Sequence, residues 1–152
     1  MDGHLGTLAS LLRLLGFDVL YRNDYDDATL ARISSEEQRI LLTRDRGLLK
    51  RSVVAYGYHV WETDPERQLV EVVRRFGLAG AAAPFRRCLR CNGVLEPVTK
   101  AEVLDRLEPK TKRYYDEFAI CRVCDRVYWK GSHHEHMRQR LERLLDEGGR
   151  GA

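Results

Sequence analysis

Apolar positions in the first 78 residues follow two alternating periods, one typical of helices and one of strands. After His4, leucines recur three or four residues apart, and Gly16 is placed to end this helix in the left-handed conformation. Apolar-rich runs at residues 17–21, 40–43 and 58–61 predict strands, and helical patterns lie between them. Strands that alternate with helices favour a parallel sheet with helices on its faces.

The run at residues 40–43 has the composition of a strand buried on both faces, and Arg44 and Asp45 follow it directly. In open α/β sheets, ligands bind at the carboxyl ends of the strands. Asp45 is therefore a candidate ligand for Mg²⁺ or Mn²⁺, because these cations prefer carboxylate oxygens. The alternative is that Asp45 only caps the short helix predicted at residues 47–50.

Other carboxylates fall just beyond predicted strands or at predicted helix starts. They are Asp2, Asp24, Asp26, Asp27 and Asp64. A metal-dependent phosphodiesterase needs three or four carboxylates in one cleft, where they hold ions that polarise the phosphate and lower the pKa of the attacking water. Asp27 and Asp64 also fit as helix caps, since each directly precedes a helical pattern. The sequence supplies enough carboxylates and leaves both interpretations open.

Small residues without a helical face follow the last of these helices and predict a linker. Beyond it lie two Cys-x-x-Cys pairs, formed by Cys88, Cys91, Cys121 and Cys124. Each pair lets two sulfurs reach one ion, so the two pairs together predict a tetrahedral structural zinc site. A redox pair is the alternative, although thiol exchange needs only one pair. A helix is also predicted in the segment between the pairs, because Thr99 and Glu102 have the spacing of a capping box.

Length and charge narrow the class of protein. The 152 residues suffice for one domain, or for a small domain and a metal-stapled module. No apolar run approaches the roughly 20 residues that cross a bilayer, and no secretory signal is evident, so we expect a cytoplasmic protein without a membrane partner. Residues 85–130 hold 11 Lys and Arg against 7 Asp and Glu, so an anionic partner is expected to dock there.

Several long motifs resemble the Mut-seven C-terminal RNase domain family, which belongs to the PIN-type nuclease superfamily and carries a zinc ribbon. The resemblance covers roughly residues 2–137. Its motifs are Asp2-x-His4-Leu5-Gly6-x-Leu8-Ala9-x-x-Leu12-Arg13-x-Leu15-Gly16-Phe17-Asp18, Asp27-x-x-Leu30, Arg39-Ile40-Leu41-Leu42-Thr43-Arg44-Asp45, Arg87-Cys88-x-x-Cys91-Asn92-Gly93, Tyr115-x-x-Phe118-x-x-Cys121-x-x-Cys124 and Val127-Tyr128-Trp129-x-Gly131-Ser132-His133.

The resemblance implies an α/β protein with a PIN-like three-layer α/β/α parallel sheet and a small zinc ribbon. It divides the chain into a nuclease domain at residues 1–78, a linker at 79–86, the ribbon at 87–137, and a helix and tail at 138–152. Family members normally begin with an apolar strand that ends at the first catalytic aspartate. Only Met1 precedes Asp2 here, so we expect the sheet to lack its first strand.

The resemblance also implies Mg²⁺- or Mn²⁺-dependent cleavage of RNA, single-stranded or within a structured molecule. Asp2, Asp27 and Asp45 would bind the metal, with Asp64 as a fourth carboxylate. Basic residues would contact the RNA, and Arg44 would bind a phosphate or steady the strand end. These residues are Arg44, Arg90, Arg122, Lys130 and His133. The alternative function is a catalytically weakened binding module, associated with RNA or the ribosome through its zinc ribbon.

Overall fold

The structure is a computed structural model that describes Met1, residues 4–131 and residues 134–150, with only the backbone described at residue 134. The α-helices are α1 (Gly6–Leu14), α2 (Asp27–Glu36), α3 (Arg46–Leu49), α4 (Pro65–Phe76), α5 (Lys100–Val103), α6 (Pro109–Tyr114) and α7 (His134–Gly149). The strands are β1 (Leu41–Thr43), β2 (Gly57–His59), β3 (Leu95–Val98), β4 (Phe118–Cys121) and β5 (Val127–Trp129). Short 3₁₀ helices lie at Ala79–Ala81 and Leu104–Arg106.

The fold is mixed α/β, with a small parallel sheet and a separate antiparallel sheet. β1 and β2 pair in parallel, and Thr43 lies opposite His59 at their carboxyl ends. The two strands confirm that strands form near residues 40–43 and 58–61, but β1 begins one residue later than predicted, and β2 begins one residue earlier and ends two residues earlier. Leu41 and Leu42 are buried as expected, but Ile40 precedes the strand and is 49% exposed. The PIN-like three-layer arrangement stays a prediction, because the described residues supply this sheet with two strands.

The strand predicted over residues 17–21 does not form. The backbone N–H of Val19 donates to Asn92 Oδ1 at 2.9 Å, and the Val19 carbonyl accepts from Arg13 Nε at 3.0 Å and Nη2 at 2.7 Å. Side chains therefore satisfy the backbone groups that a neighbouring strand would satisfy in a sheet. The apolar pattern correctly predicted that Val19 is buried, but it carried no information about which groups its backbone would bind.

Helix ends agree with the sequence in most places. Gly16 follows α1 with φ of +88°, and a Cβ atom there would lie 2.1 Å from the carbonyl oxygen of Ala83, so only glycine fits. Asp64 caps α4 as predicted. The prediction that Asp27 caps α2 is wrong: Asp26 is the N-cap, and its side chain accepts from the N–H of Thr29 at 2.7 Å.

The predicted linker is bound to the end of α1. The N–H groups of Ala83 and Phe85 donate to the carbonyls of Leu15 and Leu14, at 2.8 and 2.9 Å. These bonds satisfy carbonyls that have no partner inside the helix. The segment therefore has a defined path over α1.

The main core is formed by α1, α4 and α7, together with Val60 after β2. Leu141 and Leu144 of α7 pack in the same cluster as Leu69 and Val73 of α4. α7 therefore belongs to the core of the first module. Along the chain, the cysteine-bearing segment lies between α4 and α7, which pack together. α7 begins at His134, before the boundary predicted at residue 138.

The second module is an antiparallel sheet in the order β3-β4-β5, with α5 and α6 between β3 and β4. The capping box at Thr99 and Glu102 is present as predicted. Val103, Leu107 and Phe118 form a small apolar cluster of their own. None of the helices in the described part of the chain is long and apolar enough to cross a bilayer.

Candidate functional site

Two matching turns position the four cysteines. Each turn closes with a hydrogen bond back to the first cysteine: the N–H of Asn92 donates to Cys88 O at 2.9 Å, and that of Asp125 to Cys121 O at 2.7 Å. Both residues have positive φ, +74° at Asn92 and +65° at Asp125. Asn and Asp tolerate this conformation better than most residues, so Asn92 and Asp125, which follow the second cysteine of each pair, favour these turns.

The geometry of the sulfur atoms fits one zinc ion. All four lie within 4.8 Å of one another, with Cys88 Sγ 3.6 Å from Cys124 Sγ and Cys91 Sγ 3.3 Å from Cys121 Sγ. A tetrahedral site with Zn–S bonds of about 2.3 Å places its sulfurs about 3.8 Å apart. All four cysteines are free thiols. The predicted zinc ligands are therefore brought together as one group that can hold a zinc ion.

Thiol ionisation in this group is uneven. Burial opposes ionisation of Cys88, but hydrogen bonds from Tyr128 Oη, at 3.0 Å, and from backbone N–H groups lower the pKa of Cys88 to about 6. Burial raises the pKa of Cys91 to about 12 and also raises the pKa of Cys124. Four adjacent thiolates repel one another, so full ionisation requires a cation among them.

The ribbon docks on the first module through two buried polar side chains. Asn92 Nδ2 donates to Asp18 Oδ1 at 2.6 Å, in addition to the bond that Asn92 Oδ1 accepts from Val19. Arg13 of α1 donates to the carbonyl of Leu89, between the first two cysteines, at 2.9 Å. Arg13 is only 4% exposed, and this burial lowers the pKa of its guanidinium.

Sequence reasoning missed the roles of Arg13 and Asn92. The signal for Arg13 was a lone charge within the apolar stripe of α1. The signal for Asn92 was its position directly after a Cys-x-x-Cys pair. Neither signal identifies the partner in the other module, because Leu89 lies 76 positions from Arg13 and Val19 lies 73 positions from Asn92.

Asp45 lies at the carboxyl end of β1 and caps α3. Its Oδ1 accepts from the N–H of Gly47 at 2.8 Å, and its own N–H donates to Thr43 Oγ1 at 2.9 Å. Thr43 is fully buried. Asp64 follows β2 and accepts two bonds at the start of α4, from the N–H groups of Glu66 and Arg67, each at 3.1 Å. Both carboxylates therefore have the capping role that the sequence left open.

Asp27 is exposed in the first turn of α2. Leu30 of the same helix packs with Leu41 of β1 and Leu48 of α3, so the elements that carry Asp27 and Asp45 share one apolar cluster. Asp2 lies outside the described residues. Within the described part of the chain, the four cysteines are the only group of three or more His, Cys, Asp or Glu side chains close enough to hold one ion.

Both modules are covered by a family model. The model for the Mut7-C RNAse domain matches residues 1–141, nearly the whole chain. The chain belongs to the Mut7-C RNAse domain family. Membership indicates a nuclease-like function, with RNA as the class of substrate. Comparison with curated proteins and comparison with solved structures find no match.

In this member of the Mut7-C RNAse domain family, Arg44 has a structural partner. Its Nη1 donates to the carbonyls of Val60, Trp61 and Glu62, at 3.0, 3.0 and 2.7 Å. Arg44 therefore holds the segment that follows β2, and its predicted phosphate contact stays a prediction.

The other predicted RNA contacts lie on the ribbon. Arg90 and Lys130 are exposed. Arg122 is also exposed, and its Nε donates to Glu96 at 3.0 Å. His133 lies outside the described residues. The exposed residues have the access to solvent that a nucleic-acid contact requires, and their roles stay predictions.

Proposed function

We propose that this chain is a divalent-metal-dependent endoribonuclease that hydrolyses phosphodiester bonds of single-stranded RNA. The observation that carries the proposal is the family match over residues 1–141, because it includes the candidate carboxylates together with the cysteines. In this proposal residues 1–78 form a PIN-like α/β/α domain, residues 79–86 join it to the ribbon at residues 87–137, and a helix and tail follow.

The carboxyl edge of the parallel sheet supports this assignment. Asp45 and Asp64 follow strands whose ends lie side by side, as the pairing of Thr43 with His59 shows. A carboxylate has about four lone-pair sites, so a capping bond leaves room for a cation. Asp2, Asp27 and Asp45 would hold Mg²⁺ or Mn²⁺, with Asp64 as the fourth carboxylate. A cation bound there would polarise the phosphate and lower the pKa of a bound water.

The ribbon has a structural and a binding role in the proposal. Zinc held by the four thiolates would join the turn before β3 to the turn between β4 and β5. It would also stabilise the turn that carries Asn92, and with it the docking of the ribbon on α1. Arg90, Arg122, Lys130 and His133 would contact RNA phosphates, since cationic side chains supply most non-specific affinity for nucleic acids.

A second candidate function is an RNA- or ribosome-associated binding module with weakened catalysis. One observation favours it: among the residues that the structure describes, Asp27, Asp45 and Asp64 do not by themselves form a three-ligand group. Residues 85–130 meanwhile carry a basic surplus, 11 against 7. In this function the ribbon would supply the affinity, and Asp45 and Asp64 would only cap helices.

Cleavage of labelled single-stranded RNA in Mn²⁺ separates the two functions. The experiment compares the wild-type chain with Asp45→Asn and with Asp146→Asn, a matched change at an exposed aspartate of α7. The nuclease proposal expects cleavage that is retained in Asp146→Asn and lost in Asp45→Asn, with RNA binding unchanged. Binding without cleavage in all three proteins would support the second function instead.

A further inference from the structure

Trp61 is an exposed aromatic residue at the carboxyl edge of the parallel sheet. It lies two residues beyond β2, and its side chain is among the large apolar ones that remain in solvent, at 60% exposure. A single exposed apolar residue is common on protein surfaces and needs no explanation by itself. Its surroundings are what distinguish Trp61.

The backbone around Trp61 is held from two sides. On one side, Arg44 Nη1 donates to the carbonyls of Val60, Trp61 and Glu62. On the other side, the carboxylate of Glu71 in α4 accepts from the N–H of Trp61, at 3.0 and 3.1 Å, and from that of Glu62, at 2.9 Å. Bonds to charged groups are the stronger class of hydrogen bond. The segment is therefore fixed although it is exposed.

The indole ring is also positioned by its neighbours. The guanidinium of Arg46 lies over the ring, 4.5 Å from its centroid. The His59 and Trp61 rings are nearly perpendicular, with centroids 4.4 Å apart and planes at 84°. Arg44 and Arg46 are the two sequence neighbours of Asp45, and both contact the Trp61 segment. The Trp61 segment is therefore held by the two residues that flank the candidate catalytic carboxylate in sequence.

We propose that Trp61 is the stacking platform for an unpaired nucleobase next to the bond that is cut. This inference rests on the proposed function and deepens it, because it names the part of the substrate that is recognised. A base stacks on an aromatic ring whatever its identity, but only when it is unpaired. Trp61 therefore selects single-stranded segments with little base preference. Because Arg46 lies over one face of the ring, the base stacks on the opposite face, and the positive charge of Arg46 attracts the phosphate of the stacked nucleotide.

Fluorescence can report this contact directly, because the chain has two tryptophans. In Trp129→Phe protein, Trp61 is the sole source of tryptophan emission. Titration with a single-stranded oligoribonucleotide, without added Mg²⁺ or Mn²⁺ so that the RNA stays intact, should quench this emission. An RNA duplex of the same length and an abasic oligonucleotide should leave it unchanged, since neither presents an unpaired base.

Substitution tests the energetic part of the proposal. Trp61→Ala should weaken binding of single-stranded RNA by about 5- to 100-fold, the loss expected for one stacked base. Trp61→Phe should retain part of the affinity. Tyr56→Ala is the matched control, because Tyr56 is 62% exposed and lies at the other end of β2. Thermal unfolding of each variant checks that the fold is retained.

The outcomes separate this proposal from the proposed function. Quenching by single-stranded RNA without Mn²⁺-dependent cleavage would support the stacking of a base on Trp61, but it would overturn the nuclease and with it the position of that base next to a cut bond. Cleavage with unchanged emission, and with the same affinity in Trp61→Ala and Tyr56→Ala, would overturn the platform alone. Absence of any RNA binding would overturn the platform as well.

Discussion

Asn92 Oδ1 accepts a hydrogen bond from the backbone N–H of Val19 at 2.9 Å, across 73 positions of the chain. The same side chain donates to Asp18 Oδ1 at 2.6 Å and is only 6% exposed. One amide of the ribbon therefore satisfies two polar groups of the first module, and its position depends on the turn formed by Cys88 and Cys91.

We expect Asn92→Gly to lower the free energy of unfolding by about 1–3 kcal/mol, because the Val19 N–H loses its partner in a buried position. Glycine keeps the positive φ of the turn, and the control below corrects for the backbone freedom that a glycine adds to the unfolded chain. Urea unfolding of the zinc-loaded protein measures it. Asn23→Gly, at an exposed turn position, is the control. Equal stability of the two variants would contradict the docking role of Asn92.

The zinc site makes a second prediction. Purified wild-type protein should contain about one zinc per chain, as expected for four thiolate ligands at one ion. Cys121→Ser should contain little or none, and its ribbon should unfold at lower temperature. Metal analysis and the near-ultraviolet circular dichroism of Tyr128 and Trp129 give the two measurements. Disulfides found by mass spectrometry in protein purified under reducing conditions would instead support a redox role.

Thr43→Val tests how Asp45 is positioned. The substitution keeps the shape of a fully buried side chain and removes the hydroxyl that accepts from the Asp45 N–H at 2.9 Å. We expect a loss of about 1 kcal/mol in stability. Under the proposed function, kcat for RNA cleavage should fall about tenfold because the carboxylate is less well oriented. Thr43→Ser, which keeps the hydroxyl, should retain kcat; equal kcat values in the two variants would count against this role.

A fourth prediction concerns pH and the packing of α4 on α7. Two hydrogen bonds from Arg67 lower the pKa of Glu147 below its ordinary value of about 4.3. Between the lowered pKa of Glu147 in the folded protein and its ordinary pKa in the unfolded chain, the unfolded chain binds more protons than the folded protein does. The free energy of unfolding therefore rises with pH in this interval. The contribution of Glu147 is therefore present above about pH 4.3 and is lost as pH falls through the lowered pKa.

Comparison of wild type with Glu147→Gln measures this contribution. The wild type should unfold at higher urea concentration at pH 7, and the difference should shrink as the pH falls below about 4.3. Loss of zinc at low pH affects both proteins and cancels in the comparison. Glu142→Gln, which removes an ion pair confined to α7, is the control for the loss of a pair that does not join α7 to α4. A difference that stays constant below about pH 4.3 would show that the side chain contributes by packing.

Local signals predicted much of the fold. The capping of α4 by Asp64, the glycine after α1 and the capping box at Thr99 each depend on residues a few positions apart. The convergence of the two Cys-x-x-Cys pairs also followed from spacing, because one ion needs four sulfurs. The N-cap of α2 was misplaced by one residue, since Asp26 and Asp27 carry the same side chain and only the backbone conformation distinguishes them.

The sequence by itself determined the helices with clear caps, the two strands of the parallel sheet, the cysteine cluster and the family. It could do so because each depends on spacing within a short segment or on ordered motifs. Only the tertiary structure decided that residues 17–21 bind side chains instead of a strand, that α7 packs on α4, and that Arg44 and Glu71 hold Trp61. These outcomes depend on partners distant in sequence, and an apolar pattern reports burial without naming the group that a backbone or side chain will meet.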